Sequence, residues 1–146
     1  GPGAILMLNA YNYHKWHAPF SGVVADVAFL GGMYFGVKGD LWYPNFGYHY
    51  HRVVVILNAT DEVTGQQFKV AMVPVGISEV GSVIPYVTIG EKVSKGQLLG
   101  QFDLGGSAVF LAFEKGVTAN FTIPSGNDIQ VGESIGSVSC CSGRGN

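Results

Sequence analysis

Ser107 follows two glycines and precedes the apolar run Ala108-Val109-Phe110-Leu111-Ala112-Phe113. That order sets a hydroxyl on a pliant backbone at the mouth of a buried strand. A serine oxygen is a weak nucleophile until a neighbouring base takes its proton. Candidate bases stand far upstream in Tyr13-His14-Lys15-Trp16-His17-Ala18-Pro19, where two histidines sit three positions apart ahead of Ala-Pro. Taken singly, Gly105-Gly106-Ser107 also reads as a β-turn entering a strand, and His14 and His17 as loop histidines. No metal centre is expected. His49 and His51 would share one face of a strand, but no cysteine or carboxylate cluster joins them.

The elements that must position these groups read as strands. Val23–Phe29, Arg52–Leu57, Gln67–Val75, Ser82–Val87, Leu98–Phe102, Ala108–Phe113 and Ala119–Ile123 are β-branched or aromatic runs bounded by Gly, Pro, Asn or Asp. No stretch sustains a 3.6-residue period, so little helix is expected. Short strands at close spacing predict an all-β barrel or sandwich. Ala18-Pro19-Phe20-Ser21-Gly22-Val23-Val24 and Ile89-Gly90-Glu91-Lys92-Val93-Ser94-Lys95-Gly96-Gln97-Leu98-Leu99-Gly100 are similar to the opening and the recurring hairpin of biotinyl and lipoyl carrier domains. A weaker copy is Ile129-Gln130-Val131-Gly132-Glu133-Ser134-Ile135-Gly136. The expected architecture is therefore a barrel-sandwich hybrid. Carrier function is disfavoured because Lys92 and Lys95 sit in ordinary turn positions with no Met-Lys pair.

Composition narrows the class. At 146 residues the chain is one domain with a real core. Charged residues make up 12%, about half the usual share, and mean hydropathy is positive. So apolar a surface points to a missing partner segment or a homo-oligomer. A net charge of −2 argues against a nucleic-acid partner. No apolar run reaches the roughly 20 residues of a membrane span. Cys140 and Cys141 are adjacent and fit neither a disulfide framework nor a zinc spacing, which suggests free thiols in a reducing, cytoplasmic setting. Gly1-Pro2 reads as a tag scar, so residues 1–3 are set outside the fold, with the domain at 4–136 and a flexible tail at 137–146.

The two segments together resemble the phosphatidylserine decarboxylase family. The resemblance runs through Tyr13–Gly22, Gly32-Met33-Tyr34-Phe35, Arg52-Val53, Val75–Val83 and Gly90–Ser107. It implies that the chain is the C-terminal catalytic part of a longer proenzyme. That proenzyme would cut itself between Gly106 and Ser107 and convert Ser107 into a pyruvoyl group, with no metal and no pyridoxal phosphate. The ketone would form a Schiff base with an amine substrate and accept the electrons released with CO2. By the same resemblance His17 is the base for self-cleavage, and His14 serves substrate binding or protonation. A Ser–His pair usually needs a third group to orient the imidazole. In the family this is an aspartate in a more N-terminal segment. Asp26, Asp40, Asp61 and Asp103 match no such motif, so this chain alone is expected to stay uncut.

Gly105-Gly106-Ser107 stands where the family usually has Leu-Gly-Ser or Gly-Ser-Ser, and Tyr50-His51-Arg52-Val53 where lipid enzymes have an Asn-Glu-Arg-Val-like stretch. Gly105-Gly106-Ser107 together with Tyr13–Pro19 resembles relatives that decarboxylate free aromatic amino acids, whereas Val75–Val83 resembles the lipid enzymes; with no basic cluster or amphipathic helix for anionic lipid, the reading leans to a free amino acid. Phosphatidylserine, giving phosphatidylethanolamine, is the alternative. Trp42, Tyr43 and Phe46 are the candidate substrate-binding aromatics, for an indole ring or for a lipid surface. An upstream N-terminal segment of the same protein is the expected partner and would carry any membrane contact. A non-catalytic carrier or scaffold domain is the third reading, and Ser107, His14 and His17 speak against it.

Overall fold

The computed structural model describes residues 1–9, 11–32, 50–76, 82–103 and 106–140. The described chain holds no helix. Its strands are β1 (Gly3–Leu8), β2 (Lys15–His17), β3 (Gly22–Leu30), β4 (Arg52–Thr60), β5 (Gln67–Gly76), β6 (Ser82–Pro85), β7 (Lys92–Val93), β8 (Leu98–Asp103), β9 (Ser107–Phe113), β10 (Val117–Phe121) and β11 (Gly136–Cys140). A six-stranded sheet runs in the order β1-β9-β5-β4-β3-β7, a three-stranded sheet in the order β2-β8-β6, and β10 pairs with β11. Every pairing is antiparallel. The all-β expectation holds, in a layered form.

Alternation makes the core. On β4, Val53, Val55, Leu57 and Ala59 point inward and are fully buried, while the residues between them face out. They meet Trp16, Val83, Leu99 and Phe102 of the small sheet in one continuous cluster. A bulge in β3 between Val24 and Asp26 lets both Val24 and Val27 reach that cluster despite their odd spacing. The outward face of the large sheet is apolar too. Ile5, Phe110 and Val73 stand side by side across β1, β9 and β5, and Ile5 is 59% exposed.

Three tight turns share one construction. In Thr88–Glu91, Ser94–Gln97 and Gln130–Glu133 the fourth residue's amide donates to the first residue's carbonyl, and its side-chain oxygen accepts from the first residue's amide. The third residue of each is a glycine with positive φ (Gly90, Gly96, Gly132), the demand of a type II turn. The similarity between the two hairpin copies is thus a real similarity of turns.

Two boundaries differ from expectation. Residues 1–3 are not outside the fold: Gly3 opens β1 opposite Ala112, and the Pro2 carbonyl accepts from Phe113 N at 3.0 Å. Backbone pairing asks little of the side chain, so Gly and Pro at a sheet edge carry no warning in the sequence. The tail does not begin at Ser137. Residues 137–140 continue β11, with Val138 and Cys140 packing on the core. Small serines between them dilute the hydrophobic signal without breaking its period of two.

Candidate functional site

Ser107 is the first residue of β9 and pairs with Leu8 on one side and Gly76 on the other. It shares the inward face of β9 with Val109, Leu111 and Phe113. Its side chain is fully buried, yet Oγ has no hydrogen-bond partner. A buried hydroxyl in that state costs about 1–3 kcal/mol, which makes it a group to be explained by reactivity rather than by packing. The preceding Gly106 is not in the left-handed region, and a Cβ there would meet only the Leu8 carbonyl oxygen, at 3.8 Å. Among the described residues, neither strain nor crowding therefore demands a glycine at 106. What glycine does provide is an unshielded carbonyl next to the serine oxygen.

The two histidines occupy different surroundings. His14 stands opposite Phe102, whose amide donates to the His14 carbonyl at 2.9 Å. Its ring meets the Phe102 ring edge-on, and its Nε2 is buried without a partner. His17 is tethered at both nitrogens. Nδ1 lies 2.9 Å from the Gly96 carbonyl and Nε2 lies 3.0 Å from the Tyr13 hydroxyl. A carbonyl only accepts, so Nδ1 carries the proton and donates, and in the neutral ring Nε2 accepts from Tyr13 Oη–H. Tyr13 also stacks on the ring at 5.7 Å.

No hydrogen bond joins Ser107 to either histidine. His17 is paired with Leu98 across a register shift and His14 stands at Phe102, so the two, three residues apart on one segment, are separated by at most about 10 Å along the chain. His14 is at the end of β8 from which the chain runs on to Ser107. Asp26 accepts from the Val27 amide, and Asp61 caps its own turn through Val63 and Thr64. Asp103 is exposed at the end of β8. Among the described residues, none of the three holds an imidazole. Asp40, Trp42, Tyr43 and Phe46 lie outside the described residues, as do Gly105, His49 and Cys141. Cys140 is half-buried, and no cluster of three metal-ligating side chains occurs among the described residues.

One residue of the Tyr13–Pro19 motif has no role in the sequence reading. Trp16 is 2% exposed and its Nε1 is buried without a partner, like His14 Nε2 and Ser107 Oγ. The signal that finds it is alternation: Trp16 in β2 lies two residues after His14, whose carbonyl extends the pairing with β8, so the two fall on the same side.

A model of the phosphatidylserine decarboxylase family matches residues 2–137. The chain belongs to the phosphatidylserine decarboxylase family. It is 32% identical to phosphatidylserine decarboxylase proenzyme 2 of Komagataella phaffii, over 90% of this chain and 14% of that protein. It is 31% identical to the Bacillus subtilis phosphatidylserine decarboxylase proenzyme, over 90% of this chain and 48% of the relative. It is also 26% identical to L-tryptophan decarboxylase of Psilocybe cubensis, over 93% of this chain and 35% of that protein. The chain therefore spans half or less of these relatives. The motifs around Ser107, His14 and His17 that carried the resemblance all lie inside the matched segment.

Proposed function

We propose that this chain is the catalytic segment of a pyruvoyl-dependent decarboxylase that cuts itself between Gly106 and Ser107 and then removes CO2 from a free, aromatic amino acid. The observation that carries the reading is the buried, unbonded Ser107 Oγ beside the unshielded Gly106 carbonyl. The printed name proenzyme on the relatives supports a processed chain, and the tryptophan decarboxylase supports a free aromatic substrate.

The chemistry asked of the chain's own residues is as follows. Ser107 Oγ attacks the Gly106 carbonyl carbon. The C–N bond breaks as an ester forms, and a base passes the hydroxyl proton to the freed amine. Loss of the Ser107 Cα proton then breaks the Cβ–Oγ bond and expels the Gly106 carboxylate. Water displaces the nitrogen as ammonia, and a short chain beginning at position 107 carries a pyruvoyl group. That group supplies an electron sink for decarboxylation. In this reading His17 takes the proton for cleavage once an upstream aspartate orients it, and until then the Gly96 carbonyl holds the proton on Nδ1, which leaves Nε2 basic. Tyr13 must release Nε2, and the β2 segment must move, before that nitrogen reaches Ser107. His14, with an open buried Nε2, serves the decarboxylation step. After the cut β9 would still lie between β1 and β5, so the two fragments would stay in one sheet. The length of the relatives and the apolar outward face at Ile5, Val73 and Phe110 support further polypeptide of the same protein packing there.

Denaturing intact-mass spectra of the full-length polypeptide test this. Wild type should give two pieces, the shorter starting at position 107 with a ketone in place of an amine. Ser107→Ala and His17→Ala should give one, and His14→Ala two pieces without CO2 release. The 146-residue chain alone should stay uncut. One chain in full-length wild type removes the cofactor and the decarboxylase with it. The second reading, phosphatidylserine as substrate, is favoured by the family model and the Komagataella and Bacillus relatives. CO2 release from phosphatidylserine vesicles but not from L-tryptophan or L-tyrosine would establish it.

A further inference from the structure

We infer that Trp16 is a binding residue whose indole N–H is held in the interior as the donor for the carboxylate of the substrate amino acid. The inference rests on the decarboxylase reading above and names the group that holds the leaving CO2.

Three buried side-chain nitrogen or oxygen atoms lack a partner among the described residues: His14 Nε2, Trp16 Nε1 and Ser107 Oγ. Two of them belong to the residues the family motifs single out. The third is Trp16, and a buried indole N–H usually finds an acceptor. His14 and Trp16 share one face of the β2 segment, and Trp16 joins the same core cluster as Val109, Leu111 and Phe113, the residues that share Ser107's face of β9. Trp16 thus joins one core with Phe102, the neighbour of His14, and with the residues that share Ser107's face of β9.

A second, independent observation is the seat of the indole. A Cβ on Gly100, the residue opposite Trp16, would lie 2.2 Å from Cζ2 and 2.5 Å from Cε2, the ring carbon that bears Nε1. The same Cβ would lie 2.4 Å from the Ile84 carbonyl oxygen, so glycine at 100 makes room both for the neighbouring strand and for an indole whose polar atom then bonds nothing.

The chemistry selects the ligand. An indole N–H donates and cannot accept, so its partner must be an acceptor. In an α-amino acid the carboxylate lies one carbon from the amine that would meet position 107, and so arrives beside it. A single neutral donor orients a carboxylate without the strong ground-state stabilisation that an Arg or Lys would give, stabilisation that would oppose CO2 loss. The apolar walls supplied by Phe102 and Val83 work in the same direction by keeping the charge poorly solvated.

The chain has two tryptophans, so the indole region of its 15N–1H spectrum should show two cross-peaks, the Trp16 peak being the one absent from Trp16→Phe. If that variant does not fold, Trp42→Phe assigns the peaks by difference. Titrating the 146-residue chain with L-phenylalanine and with glycerophospho-L-serine, each beside its carboxamide, should move the Trp16 peak with an acid and not with its amide. Which acid moves it distinguishes a free amino acid from a lipid head group. In the processed full-length enzyme Trp16→Phe should raise KM about tenfold or more, as for a lost bond to a charged group, with kcat within about twofold and self-cleavage intact. A Trp16 peak that ignores all four probes, or follows acid and amide alike, overturns the inference. So does a Trp16→Phe enzyme with unchanged KM, or one that no longer cuts itself. If full-length wild type shows neither cleavage nor CO2 release, the decarboxylase reading fails, while the titration still decides whether Trp16 meets a carboxylate.

Discussion

Removing the most reactive group of the site should make the uncut protein more stable. Ser107→Ala deletes a buried oxygen that bonds nothing and keeps the Cβ that packs inside β9. The desolvation recovered is about 1–3 kcal/mol. The void left by one oxygen is roughly 15 Å³, which at about 24 cal/mol per Å³ returns about 0.4 kcal/mol. The net is a gain of about 1–2 kcal/mol. For a chain of this length each kcal/mol moves the melting midpoint by about 2–4 °C. The assay compares urea and thermal unfolding of wild type and Ser107→Ala as 146-residue chains shown by intact mass to be uncut. A midpoint raised by several degrees agrees with an oxygen kept unsatisfied for chemistry. A loss of 1 kcal/mol or more would mean that Oγ has a partner in solution and is not a free nucleophile.

Other outcomes follow from the same geometry. Gly100→Ala should cost about 3 kcal/mol, the upper end for overpacking, because the new methyl meets both the Trp16 ring and the Ile84 carbonyl; chemical denaturation measures it, and a change under 1 kcal/mol would show that the indole moves freely. After self-cleavage the two fragments should co-elute on a sizing column and separate only in denaturant, since β9 keeps β1 and β5 as neighbours; free elution of the short chain would contradict that sheet order. Asp61 has its carboxyl held below the ordinary range, first by the Thr64 hydroxyl and then by the Val63 amide. A depressed folded value means that the stabilisation is present above the unfolded pKa of about 3.9 and is lost as pH falls through the folded one, so Asp61→Asn should lower the melting point at pH 7 and not at pH 2. Tyr13→Phe should leave the His17 ring on the Gly96 carbonyl with its proton on Nδ1, read from ring 15N shifts; a switch to the Nε2–H form would show that Tyr13, and not Gly96, sets the tautomer.

The family and the strand character were legible because both are local. β-branched runs between Gly, Pro and Asn announce β4, β5 and β9 whatever they pack against, and Ser107 with His14 and His17 can be named from neighbours a few positions away. β1 was harder, since Gly3–Leu8 has no β-branched run and becomes a strand by pairing with β9. The same holds for Ser137–Cys140, whose serines hide a period-two pattern that only β10 completes.

Sequence by itself determined which groups are available: a serine after glycine, two histidines three apart, few charges, strands without helix. Tertiary structure alone decided their state. It buried Ser107 Oγ with no partner, tied both nitrogens of His17 to Tyr13 and Gly96, left His14 Nε2 open, and set Trp16 over Gly100. The physical reason is that hydrogen-bond satisfaction depends on which distant strands are brought side by side. Gly96 is 79 positions from His17, and no local pattern of residue types encodes a bond across that distance.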